Sequence, residues 1–246
     1  KSVNAQVLQQ ILKTLDRAFS DMKAKGKGFP RFKKRMRSFV FPQMLKNCLV
    51  QGRGLVTKPV LKLPQLGWLK IFQSRDYPTG FKAKQARIVK KATGYYLMIS
   101  FQSQESCAEA PLGKVSLGID AGIESFVATD QGELIKAPKF LVEHRSKLKL
   151  LQRRLKYKTK GSKNWLKLQH KIAKLHEKVA NTRRDWHFKL ANYLCEETDN
   201  IFVEDINFIS WSGGIVRKQS LDSGMGQFIN KIYLMYVGKE VSFIGK

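Results

Sequence analysis

Acidic residues are scarce in this 246-residue chain: 19 Asp and Glu face 46 Lys and Arg, leaving a formal charge of +27. That excess argues against an enzyme of small neutral metabolites and calls for a polyanionic partner. Long apolar runs are missing too, and no window approaches the ~20 uninterrupted apolar residues that a membrane span needs, so no membrane partner is expected. Cysteine is rare. Cys48, Cys107 and Cys195 lie far apart with no CxxC spacing, which points to a reducing compartment and against a zinc ribbon within these residues. The opening Lys1-Ser2-Val3-Asn4 has neither an initiator Met nor a signal peptide, and reads as the start of a piece cut from a longer chain. No internal repeat is visible. The length suits one large domain or two small ones, and nucleic acid is the expected partner.

The first stretch that is present is amphipathic. Between residues 4 and 22, Val7, Leu8, Ile11, Leu12, Leu15, Ala18 and Phe19 recur at helical spacing and predict one apolar stripe. Lys23 to Arg37 then holds eight Lys or Arg and no acid, broken by Gly26, Gly28 and Pro30, so a loop is expected. A solvated linker can have this composition, but Phe29 and Phe32 lie among the cations. Rings stack on bases while cations pair with phosphate, which makes Arg31, Lys33, Lys34, Arg35 and Arg37 candidates for nucleic-acid contact. From Ser38 onward short strand-like runs appear at Phe39 and Phe41, Val56–Leu63, Trp68–Phe72, Phe81–Val89 and Tyr95–Phe101, separated by Gly and Pro. This spacing suggests a small barrel or sandwich of about five strands over residues 38–110. Lys62, Lys70, Lys82, Lys84, Arg87, Lys90 and Lys91 fall at its polar positions, where they can grip a backbone without reading a base.

Glu105 to Gly113 reads as a linker, and a second domain is expected over 114–246. Val115, Leu117 and Ile119 alternate with Ser116, Gly118 and Asp120, a strand ending on a carboxylate. A hairpin follows: Phe126–Thr129, a turn at Asp130-Gln131-Gly132, then Glu133–Ile135. Leu148, Leu151 and Leu155, then Leu168, Ile172, Leu175 and Val179, are spaced by threes and fours. They predict a hairpin of two helices, Val142–Tyr157 and Lys163–Val179, with a third helix over Thr182–Glu197 that buries Phe188, Ala191 and Leu194. Between Arg145 and Lys189 sixteen Lys or Arg meet two acids, Glu177 and Asp185, a net of +14. Solvated helix faces usually alternate their signs, and this one does not. Lys149, Arg153, Arg154, Lys156, Lys158, Lys160, Lys163, Lys167, Lys171, Lys174, Arg183, Arg184 and His187 are therefore expected on nucleic acid. Asn200–Glu204 is a short apolar strand that again ends on a carboxylate.

A lone strand-terminal Asp commonly ends a strand or caps a turn. Two such carboxylates are different if the Glu204 strand lies parallel beside the Asp120 strand, as a helical crossover favours. Neighbouring strands are ~4.8 Å apart, so Asp120 and Glu204 at equivalent ends can share divalent ions. Phosphodiester hydrolysis uses two metals ~4 Å apart, and Mg²⁺ suits a site with few carboxylates. Asp205 would face the other way on a strand and reads as a loop or capping residue.

Leu117-Gly118-Ile119-Asp120-Ala121-Gly122 resembles the first RuvC motif of the TnpB proteins, transposon-encoded RNA-guided nucleases ancestral to type V CRISPR effectors. Ile201-Phe202-Val203-Glu204-Asp205-Ile206 resembles the second motif, and Asn181 to His187 the basic helix before it. Gly28-Phe29-Pro30-Arg31-Phe32-Lys33 is similar to the phrase ahead of the family's wedge barrel, and Leu221 to Asn230 to the segment after the second motif. The resemblance implies an α+β or α/β chain. Residues 1–37 would end a helical recognition segment, 38–110 would form an oligonucleotide-binding-type wedge β-barrel, and 114–246 an RNase H-like (RuvC) domain carrying a basic helical arm at 142–198. It implies a cytoplasmic, nucleoid-acting prokaryotic endonuclease, with guide RNA and target DNA as partners. Asp120 and Glu204 would be its catalytic ligands for two Mg²⁺, and Zn²⁺ would bind only if a ribbon lies outside these residues. The family's third acid, its zinc ribbon and its opening strand have no counterpart here. A nuclease-dead RNA-guided repressor and a guide-independent RNase H-like nuclease are the alternative readings.

Overall fold

The computed structural model describes residues 3–33, 35–42, 49–50, 60–63, 66–72, 74, 76, 80–102, 115–122, 124–204, 206, 222–235 and 241–244. They belong to two units, Lys1–Ser106 and Cys107–Lys246. None of the described helices is long and apolar enough to cross a membrane.

In the first unit, helix α1 (Ala5–Lys25) begins where the Asn4 carboxamide oxygen accepts the Gln6 N–H at 2.9 Å, and ends at Gly26 in the left-handed conformation. Of the apolar stripe expected on α1, Val7 is buried and Ile11 packs beside it, whereas Leu8, Leu12 and Leu15 are exposed. Only the first two turns of the helix therefore reach the core beneath.

Six strands follow: β1 (Ser38–Phe41), β2 (Leu49–Val50), β3 (Val60–Leu63), β4 (Gly67–Lys70), β5 (Lys82–Lys90) and β6 (Tyr95–Gln102). They pair as two antiparallel three-stranded sheets, β1-β5-β6 and β2-β3-β4. Phe41, Leu61, Leu63 and Ala86 form the centre of a common core with Val7; Leu61 and Leu63 take inward positions two residues apart on β3. The expected strand at Val56–Leu63 is seen from Val60, and its earlier residues lie outside those described.

The second unit contains β7 (Ser116–Asp120), β8 (Val127–Thr129), β9 (Leu134–Ile135), α2 (Val142–Lys156), α3 (Lys163–Glu197), β10 (Asn200–Glu204), α4 (Met225–Met235) and β11 (Val241–Ile244). Its sheet runs β11-β10-β7-β8-β9. Strand β10 is parallel to both neighbours, and β7, β8 and β9 are antiparallel in turn. Leu117, Ile119, Ile201 and Val203 of the sheet pack with Leu190, Ala191 and Leu194 of α3 and with Met225, Phe228 and Ile232 of α4.

Where two helices are expected, α3 is one helix of 35 residues. Asn181 and Thr182 suggest a break by propensity, but neither obliges one, and the Thr182 hydroxyl donates back to the Lys178 carbonyl at 3.1 Å. Ser162 caps its start, accepting the Trp165 N–H at 3.2 Å. The buried stripe of its last turns is His187, Leu190, Ala191 and Leu194. Phe188, expected inside, is instead 39% exposed beneath the Lys231 ammonium.

Candidate metal centre and nucleic-acid interface

The register of β7 against β10 is set at their starts. The Asp199 carboxylate accepts the Val115 N–H at 3.2 Å, the Val115 carbonyl accepts the N–H groups of Asp199 and Asn200, and the Asn200 amide reaches Ser116 Oγ at 3.3 Å. From there the pairs run Ser116 with Asn200, Leu117 with Ile201, Gly118 with Phe202 and Ile119 with Val203. The next residue on each strand is Asp120 and Glu204. Being level, they share a face of the sheet, opposite the buried Ile119 and Val203, and both are exposed. Parallel neighbours stand ~4.8 Å apart, which is within the reach of two carboxylates for one ion. Among the described residues no group of three or more His, Cys, Asp or Glu is placed to hold a metal. The pair offers hard oxygen donors only, which fits Mg²⁺ with water and phosphate completing its shell.

The backbone around Asp120 is held tightly. Gly118 exchanges bonds with Asp130: its N–H donates to the carboxylate at 3.0 Å, and its carbonyl accepts the Asp130 N–H at 3.0 Å. A Cβ on Gly122 would stand 2.8 Å from the Ser125 carbonyl oxygen, so the turn leaving Asp120 admits no side chain there. Asp130 is legible in the sequence only as a turn residue, since its grip on Gly118 spans a hairpin. Asp222, the one acid between residues 210 and 230, is also engaged. Both its oxygens accept the Leu141 N–H, at 3.0 and 3.1 Å, at the start of α2.

The structure sorts the expected nucleic-acid contacts. Arg31, Lys33, Arg35 and Arg37 are exposed, and Lys34 lies outside the described residues. Lys149, Arg153, Arg154, Lys156, Lys158, Lys160, Lys163, Lys167, Lys171 and Lys174 are exposed along α2, its turn and α3. Arg184 is exposed and donates to Asn181 at 3.2 Å. Arg183 is half-buried, its guanidinium donating to the Asp222 carbonyl at 3.2 Å.

His187 corrects the expectation. It is fully buried among Phe126, Phe140, Trp186 and Phe228, with Nε2 2.8 Å from the Ser223 carbonyl and Nδ1 without a hydrogen-bond partner. Burial pushes its pKa down to about 4, with the Arg183 and Lys231 charges adding to the effect and the Ser223 bond opposing it. The imidazole is a neutral core group. Its neighbours Arg183 and Arg184 give it the look of a surface residue, while the rings that bury it come mostly from distant parts of the chain.

This mixed α/β arrangement is shared with a solved chain. The Cas12f1 protein of a cryo-EM Cas12f1–sgRNA–target DNA complex superposes with a TM-score of 0.50 at 15% identity, covering 97% of this chain and 60% of that one. Sequence comparison goes further. Residues 99–210 match the OrfB_IS605 family, described as a probable transposase. A protein of Escherichia coli K12 that bears the name "Putative RNA-guided DNA endonuclease InsQ" is 32% identical over 214 residues, 86% of this chain and 51% of its own length. A Streptomyces pristinaespiralis protein named "Putative RNA-guided DNA endonuclease" is 30% identical over 204 residues, 83% of this chain and 50% of its own length. By these matches the chain is similar to the TnpB family, and it spans about half the length of these curated relatives.

Proposed function

We propose that the chain supplies the nuclease core of an RNA-guided DNA endonuclease, with Asp120 and Glu204 as its metal-holding carboxylates. The observation that carries this reading is the parallel register of β7 and β10, which brings the two acids level on one exposed face. The sheet order β11-β10-β7-β8-β9, with β8 the antiparallel strand between β7 and β9, supports an RNase H-like (RuvC) assignment for the second unit. The two antiparallel sheets of the first unit support a wedge domain. Two Mg²⁺ bound at the acids would stabilise the attacking and leaving oxygens of phosphodiester hydrolysis. The chain's own residues position and neutralise. Asp130 and Gly122 fix the strand end that carries Asp120, Asp199 sets the register that brings Glu204 beside it, and the cations of α2 and α3 hold guide RNA and target DNA by their phosphates. The relatives' names and the Cas12f1 complex support RNA and DNA as those partners.

The test is Asp120→Asn in the complete protein, loaded with guide RNA and given a matched DNA duplex. Cleavage falls by on the order of 10³-fold or more, while RNA affinity stays within about twofold. Unimpaired cleavage overturns the assignment of Asp120.

A further inference from the structure

Hairpin β3–β4 alternates cleanly. Leu61 and Leu63 are buried and Leu69 is half-buried, while Lys62, Trp68 and Lys70 face solvent. Lys62 and Trp68 stand directly opposite each other in the antiparallel register, with the Lys62 ammonium 5.6 Å from the indole centroid. Lys70, two residues after Trp68, shares its face by the strand's period of two. The indole is 55% exposed. A single exposed apolar side chain is ordinary on a protein surface, so the surroundings decide its meaning.

The stretch of sequence that carries it is almost free of negative charge. Residues 22–104 hold nineteen Lys or Arg and a single acid, Asp76, so a partner of this face is polyanionic. A flat ring flanked by two ammonium groups matches one nucleotide with the phosphates on either side of it. The base stacks on the indole and the lysines take the backbone. A duplex hides its base faces in its own stack, whereas folded RNA presents unpaired bases in loops and bulges, and those are what aromatic side chains take up. Lys62 is poised for the exchange. At 5.6 Å it lies near the outer limit of a cation–π contact, ~6 Å, and it can swing to a phosphate as the base arrives. The first unit repeats the pairing at Lys90 over Tyr95, 5.5 Å, and Lys91 over Tyr96, 4.6 Å.

We infer that Trp68, flanked by Lys62 and Lys70, is a stacking seat for an unpaired nucleotide of RNA; this rests on the reading of the chain as RNA-binding. The test uses the complete protein labelled with 5-fluorotryptophan, the ¹⁹F resonance of Trp68 being the one missing from Trp68→Phe. It is titrated with an RNA hairpin bearing an unpaired loop, with a blunt RNA duplex, with single-stranded DNA and with oligoglutamate, and binding is followed separately by mobility shift. The Trp68 resonance shifts saturably with the looped RNA and not with the duplex, even where the duplex binds. Trp68→Ala weakens looped-RNA binding on the order of 10-fold, Trp68→Phe retains most of it, and Lys62→Gln with Lys70→Gln lowers the salt slope by about two units. Looped RNA that binds without moving the resonance overturns the seat and leaves the RNA-binding reading standing. So does an equal shift from duplex, single-stranded DNA or oligoglutamate. Failure of every RNA to bind overturns both.

Discussion

Gly122 stands two residues after Asp120 in a turn with no space for a methyl group, since its Cβ would approach a backbone oxygen at 2.8 Å. Backbone cannot swing aside as a side chain can. Gly122→Ala is therefore expected to cost about 1–3 kcal/mol in denaturant unfolding and to weaken divalent-ion binding at Asp120. A stable variant with wild-type metal affinity would show that the turn does not set the carboxylate. His187 makes a second prediction at this scale. In the unfolded chain its imidazole titrates near 6.5, and in the core near 4. The folded state thus binds fewer protons between those values, so the contribution is complete above about pH 6.5 and is lost as pH falls toward 4. Urea unfolding at pH 7 and pH 4.5 should show a loss of up to about 3 kcal/mol that His187→Gln largely removes. The acids and glycines of the motif are plain in the sequence, but the buried position of His187 is not. Burial by Phe126, Phe140 and Phe228 is a tertiary fact that local charge hides.

Periodicity makes most of the elements legible. The 116–120 and 200–204 strands, the 127–135 hairpin and the apolar seam of α2 and α3 follow from spacings of two, three and four, and Leu151, Leu175 and Val179 are buried where that seam predicts. The break expected near Asn181 is absent, because propensity is a weak prior once Leu190, Ala191 and Leu194 anchor the far end of the helix on the sheet. The buried stripe of α1 is narrower than its spacing suggests for a similar reason, since apolar spacing shows what a helix can bury and its neighbours decide what it does bury. On α3, Lys163, Lys167, Lys171 and Lys174 recur at intervals of four, four and three, one exposed row along a single face. Replacing all four with Gln should weaken RNA binding at physiological salt and reduce the log–log salt slope by about one unit for every phosphate that the row neutralises. A mobility-shift series across salt concentrations checks it. An unchanged slope would make the row a solvated face.

Across the whole chain, charge and carboxylates are separated by role. The first unit and the α2–α3 arm hold most of the cations, while Asp120 and Glu204 end two neighbouring inner strands whose core-facing residues are apolar. The +27 total announces a polyanionic partner without saying where the chemistry lies. What singles out Asp120 and Glu204 as the proposed site is that two short strands, more than 80 residues apart in sequence, pair in parallel and level. The apolar alternation of either strand alone does not specify that register; the bonds of Asp199 and Asn200 to Val115 and Ser116 set it between the strands. If Asp120 and Glu204 form one site, a double-mutant cycle on Mn²⁺ binding reads their coupling. Titrating wild type, Asp120→Asn, Glu204→Gln and the double variant by calorimetry should show each single change removing nearly all of the affinity, with the double removing no more. Losses that simply add would mean that the two carboxylates act on separate ions and do not form one site.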